Sequence, residues 1–102
     1  MTNKYKAKPT VIDGIRFASK KESLRYCELR LLEKAREITH LELQPKYELI
    51  VNEIKVGTYI ADFKYFEEGE WVTEDTKGFK TPVYKLKKKL MKAIHGIEIR
   101  ET

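Results

Sequence analysis

Residues 59–78, YIADFKYFEEGEWVTEDTKG, set the tightest constraint on how this chain can fold. Two runs of β-formers, about 58–66 and 71–77, flank Glu67-Glu68-Gly69-Glu70 and predict an antiparallel hairpin. With Phe66 opposite Trp71, Asp62 faces Asp75 and Lys64 faces Thr73. Opposed side chains share a sheet face, with Cβ atoms about 4.5–5.5 Å apart. Lys77 then falls on the face of Asp75, about 7 Å further along the strand. Strand interiors disfavour Asp, whose short side chain competes for backbone hydrogen bonds, and two opposed aspartates repel. A hard divalent cation turns such repulsion into affinity. On the residues alone a solvated, solubilising face remains the alternative, and a shorter loop would set Glu74 rather than Asp75 against Asp62.

The flanking segments fill in the rest of the fold. VIDGIRF, with Asp13-Gly14 between β-formers, predicts a short hairpin. Ser19 and Glu22 form a capping-box pattern, which predicts an amphipathic helix over 20–37. Leu24, Cys27, Leu31, Ala35 and Ile38 form its apolar stripe, and Glu22 projects away from it with Tyr26 and Leu29. LELQPKYELIV, residues 41–51, reads as a strand in which Pro45 requires an edge or a bulge. A turn follows near Asn52 or Gly57. Gln44 is either a satisfied core amide or an accessory group of the carboxylate site. Thr81-Pro82 starts a second helix over 82–95, with Val83, Leu86, Leu90, Ala93 and Ile94 as its stripe and Gly96 as its end. IEIRE then supplies a last strand, joined in parallel through that helix by a right-handed crossover. The expected fold is α+β, with helices against a mixed four-stranded sheet in the order αβββαβ after an N-terminal hairpin. Residues 1–10 form a basic arm and 11–102 a single domain.

Charge adds a partner class. The net charge is +5, unevenly spread. Residues 1–21 carry Lys4, Lys6, Lys8, Arg16, Lys20 and Lys21 against Asp13 alone, and the stretch from Lys77 to Ile97 has lysines but no acid. Two basic blocks around an acidic centre suggest a polyanion such as DNA. No apolar run approaches the roughly 18 residues that cross a bilayer, and no signal peptide opens the chain. The single Cys27 excludes an internal disulfide and a four-cysteine zinc site, which fits a cytoplasmic setting. His40 and His95 stand apart from each other and from Cys27.

Asp62, then Asp75-Thr76-Lys77, preceded by a helix carrying Glu22 and followed by a lysine-rich helix, resemble the PD-(D/E)XK nuclease superfamily. FASKKESLRYCELRLLEKAREITHLELQPKYEL, YIADFKY and EDTKGFKTPVYKLKKKL further resemble a family of small phage-encoded endonucleases. The resemblance spans about Gly14 to Glu101, and Ala61 stands before Asp62 where the superfamily often has proline. It implies a restriction-endonuclease-like sandwich and an endonuclease hydrolysing DNA with Mg²⁺ or Mn²⁺. Asp62 and Asp75 would bind the metal, with Glu74 as the alternative to Asp75 and Glu22 completing the set. Lys77 would position the attacking water. Lys4, Tyr5, Lys6, Lys8, Lys20, Lys80, Lys85, Lys88, Lys89 and Lys92 would contact phosphates. Relatives include Holliday-junction resolvases and transposon end-cleaving nucleases, so branched phage DNA is an expected substrate, and a homodimer an expected assembly. The rival expectation is a non-catalytic DNA- or partner-binding module on the same fold.

Overall fold

Three two-residue turns shape the β-rich part of the chain. Asp13-Gly14, Asn52-Glu53 and Glu68-Gly69 each have both residues at positive φ. That is the requirement of the tight hairpin turns whose twist matches that of their strands. In the computed structural model, which describes residues 9–102, they join three antiparallel pairs. These are β1 (Thr10–Ile12) with β2 (Ile15–Phe17), β4 (Lys46–Val51) with β5 (Ile54–Ile60), and β6 (Phe63–Glu67) with β7 (Glu70–Asp75). Lys4, Tyr5, Lys6 and Lys8 lie outside the described residues.

The main sheet is mixed and four-stranded, in the order β3 (Thr39–Leu43), β6, β7, β8 (Arg100–Glu101). Its first three strands are antiparallel neighbours, and β8 runs parallel to β7 after a helical crossover. The α+β class and the αβββαβ order of this sheet are therefore as the sequence predicts. The strands expected over 41–51 and 58–66 are instead each broken in two. Pro45 has no N–H for a ladder, and Gln44 takes a left-handed conformation at φ 51°. The two arms stay joined across the bend, since Gln44 N–H donates to Asp62 O at 2.9 Å and Ala61 N–H to Pro45 O at 3.1 Å. Beyond the bend, β4 and β5 form a separate two-stranded arm. The strand expected over 71–77 ends at Asp75, and only the end of IEIRE is strand. Ile97 and Ile99 serve instead as packing residues.

A helix covers each face. On one side α1 (Lys20–Lys34) packs with Phe17, Tyr26, Leu29, Ile38, Phe63 and Tyr65. On the other, α2 (Pro82–Leu90) and a π-helical turn (Met91–His95) pack with Leu49, Tyr59, Ala61, Tyr84, Met91 and Ile99. Only part of each expected stripe packs inward: Cys27 and Ile38 join one core and Leu90 and Ile94 the other. Leu24 and Leu31 of α1 are 54% and 66% exposed, and Val83 and Leu86 of α2 are 62% and 58% exposed. α1 ends at Lys34, so Ala35 and Ile38 lie beyond it. The aromatic sheet face decides the phase of α1. Tyr26 meets Phe17 ring to ring at 5.0 Å and donates to Asp13 Oδ2 at 3.1 Å, contacts a leucine stripe cannot make. That phase turns Glu22 inward.

Candidate functional site

The hairpin register is the one that pairs Phe66 with Trp71, and it continues through Lys64–Thr73 to Phe63–Glu74. One residue on, Asp62 sits beside Asp75 where β6 and β7 end. Asp62 N–H donates to Glu74 O at 3.2 Å, and Thr76 N–H donates to Asp62 Oδ2 at 2.7 Å. Glu74 points to the α1 face. There its carboxylate, fully buried, accepts Arg25 Nε at 2.7 Å, Arg25 Nη2 at 2.9 Å and Tyr65 Oη at 2.5 Å. Both of its oxygens are already engaged.

Asp75 points the other way and is 1% exposed. Tyr59 Oη donates to its Oδ2. Lys77 Nζ lies 3.3 Å from Oδ1, an ion-pair contact, yet Oδ1 has no hydrogen-bond partner among the described residues. The Lys77 ammonium thus brings charge to Oδ1 without a hydrogen bond. Lys77 also sits 4.6 Å from the centre of the Tyr84 ring.

Glu22 joins this group from the first turn of α1. Only half of the capping box forms: Glu22 N–H donates to Ser19 Oγ at 3.0 Å, while the carboxylate interacts with Asp62, Asp75 and Lys77. Burial, then the charge of Asp75, pushes the Glu22 carboxyl above its ordinary value, opposed by Asp62 hydrogen bonding and Lys77. Burial first, then hydrogen bonding with Asp75, pushes Asp62 up to about 8. Thr76 N–H works against that rise. Tyr59 is held as a neutral phenol by burial and its bond to Asp75. Three carboxylates crowded against one lysine carry more negative charge than their surroundings neutralise.

A cavity of about 160 Å³ opens beside them, lined by Ile15, Arg16, Phe17, Glu22, Leu43, Gln44 and Asp62. Gln44 thus borders the site from a left-handed backbone position, which costs a non-glycine residue on the order of 1–2 kcal/mol. Tyr59 and Arg16 escaped the sequence reading, since a tyrosine in a β-run and an arginine in a short hairpin look ordinary. The lysines divide into groups. Lys20 is exposed on the first turn of α1, and Lys80, Lys85, Lys88 and Lys89 line one pocket with Tyr84 and Glu101. Lys92 pairs instead with Glu98 at 3.2 Å and lines a different groove beside Trp71.

A family match covers residues 2–101. The chain belongs to the DUF1064 family. That family is described as "Protein of unknown function". No curated protein and no solved structure matches the chain.

In this DUF1064 chain, no group of three or more His, Cys, Asp or Glu among the described residues could hold a metal ion as it stands. The chemistry of the donors nevertheless fits a hard divalent cation. Asp75 Oδ1 is a buried oxygen with no directed donor, and Asp62 is driven toward its protonated form by burial and by its neighbours. A cation on oxygen ligands relieves both. Among the described residues no helix is long and apolar enough to cross a membrane.

Proposed function

We propose that the protein is an endonuclease that hydrolyses DNA phosphodiester bonds with Mg²⁺ or Mn²⁺ by direct attack of water. The observation that carries this reading is the placement of Asp62 beside Asp75 with Lys77 Nζ 3.3 Å from Asp75. Asp62 and Asp75 are the residues that would hold the ion, with Glu22 as the third. Bound there, the ion would polarise the phosphate and lower the pKa of a coordinated water. Thr76 N–H and Tyr59 Oη fix the two aspartates, so their oxygens keep one orientation. The Lys77 ammonium, beside Asp75, orients the incoming water or offsets charge developing on the phosphate. Lys20 and the α2 lysines supply contacts that hold the backbone without reading sequence. Selectivity for branched phage DNA in the host cytoplasm accords with contacts of that kind. A homodimer would bring two such sites to two strands, and the exposed Phe79, Val83 and Leu86 offer apolar surface for one.

The test incubates the protein with linear and branched DNA in Mg²⁺, Mn²⁺ or EDTA, beside Asp75→Ala. Cleavage that needs the metal and disappears in the variant is the expected outcome. Binding without cleavage on every substrate and with either metal overturns the enzyme. That result would support the second reading, a non-catalytic binding module. That no group of three or more His, Cys, Asp or Glu among the described residues could hold a metal ion as it stands favours that reading.

A further inference from the structure

The last strand brings another carboxylate to the edge of the candidate site. Pairing of β7 with β8 sets Glu101 beside Asp75. Glu101 Oε1 lies 2.8 Å from Lys80 Nζ, and Oε2 lies 3.1 Å from Lys88 Nζ and accepts Tyr84 Oη at 2.7 Å. With Lys85 and Lys89 these residues line an open pocket of about 430 Å³. The Tyr84 ring connects the pocket to the site, because Lys77 Nζ stands over it.

The charges here do not balance. Four lysines face Glu101 alone, and neither Lys85 nor Lys89 has an ion-pair partner among the described residues. The Glu101 carboxylate presents one negative charge on two oxygens. A phosphodiester group presents the same charge on its two non-bridging oxygens. Lysine binds either as a point charge, without demanding the planar fit that arginine does.

We propose that this pocket receives a DNA backbone phosphate adjoining the one attacked, and that Glu101 holds Lys80 and Lys88 in the free protein where that phosphate holds them in the complex. The inference rests on the nucleic-acid reading above. It extends that reading by separating a built phosphate subsite from general surface charge. Two lysines already gathered on a carboxylate lose less side-chain freedom when the phosphate arrives. The competing account is that Glu101 only ties β8 to α2, in which case Lys80 and Lys88 stay on it and never meet DNA.

The experiment measures binding of a short DNA duplex in EDTA, where nothing is cut, across a series of salt concentrations. Each phosphate contact contributes about 0.9 to the slope of log K against log salt. The Lys80→Ala/Lys88→Ala double variant, which gives up one phosphate contact, is expected to flatten that slope by about 0.9. Lys55→Ala, on β5 and paired with Glu48, is expected to leave it unchanged. Glu101→Gln keeps an acceptor for Tyr84 but gives up the competing charge. It should keep the slope and bind about five-fold tighter at low salt, the worth of one exposed ion pair. An unchanged slope in the double variant overturns the subsite, and binding by Glu101→Gln that is unchanged or weaker overturns the exchange with Glu101. A flattened slope without Mg²⁺-dependent cleavage keeps the pocket and removes the nuclease. Cleavage with an unchanged slope does the reverse, and no binding by the unaltered protein removes both.

Discussion

Glu74 and Asp75, neighbours in β7, send their carboxylates to opposite faces of the sheet and into opposite chemistry. Glu74 is fully buried and accepts a bidentate Arg25. Asp75 is as deeply buried, yet one of its oxygens has only the ion-pair contact of Lys77 and no hydrogen bond among the described residues. The first carboxylate ties α1 to the sheet. The second is an unsettled charge at the sheet's end.

Removing Arg25 should therefore be severe. Arg25→Ala leaves Glu74 charged in the core without its counterion, a loss expected to cost about 3–5 kcal/mol. Chemical denaturation reads the difference. Above about pH 8, where Asp62 is charged, Asp75→Asn should match or exceed the unaltered protein in metal-free stability, since it removes the repulsion with Asp62 while keeping an acceptor for Tyr59. The same variant should lose cleavage.

Stability in EDTA should fall as pH rises through the neutral range. Asp62 has an ordinary value of 3.8 and is raised to about 8 in the fold, so the folded chain binds its proton more tightly than the unfolded chain. The corresponding stabilisation is complete below about pH 4 and is lost as pH climbs through about 8. Melting temperatures between pH 5 and 9 should show a shallower decline for Asp62→Asn. Added Mg²⁺ at pH 8 should raise the melting temperature of the unaltered protein and not that of Asp62→Asn.

Glu22→Gln separates a site carboxylate from a helix cap. The bond from Glu22 N–H to Ser19 Oγ is a backbone donation and survives the change. Cleavage should drop by about 10- to 100-fold, in line with loss of a group that supports a metal, with little change in melting temperature. Ser19→Ala should show the opposite pattern, losing about 1 kcal/mol of stability through the cap itself.

Gln44→Gly tests whether backbone strain is retained for the site. Glycine adopts φ 51° without steric cost, so stability should rise by about 1 kcal/mol. Loss of the side chain from the cavity beside Asp62 should lower the cleavage rate in the same variant. A denaturant midpoint and a single-turnover rate, measured together, show whether the two move apart.

Hairpins and caps were legible because their causes are local. Asp13-Gly14 and Glu68-Gly69 form tight turns, Ser19 and Thr81 cap their helices, and Gly96 ends the second helical segment at φ 68°. The register that sets Asp62 beside Asp75 follows from one such turn. Helix phase departs from the expected stripes at Leu24, Leu31, Val83 and Leu86, which are exposed, because propensity does not choose which apolar side of a helix turns inward. The bend at Gln44-Pro45 showed as a proline, but not as a division of two long strands into a sheet and an arm.

From the sequence alone, then, come the order of the elements, the turn positions and the pairing of β6 with β7, all set by contacts between residues near in the chain. Tertiary packing alone decided which side of α1 faces inward. Aromatic contacts of Tyr26 and the Arg25–Glu74 bond outweigh a leucine stripe, and they carry Glu22 from an expected outward position into the carboxylate group. Packing likewise assigned Glu74 to structure and left Asp75 with an oxygen that has an ion pair but no hydrogen bond among the described residues. Neighbouring residues in a strand have no say in which layer will meet each of their faces, because that partner lies far away in the chain.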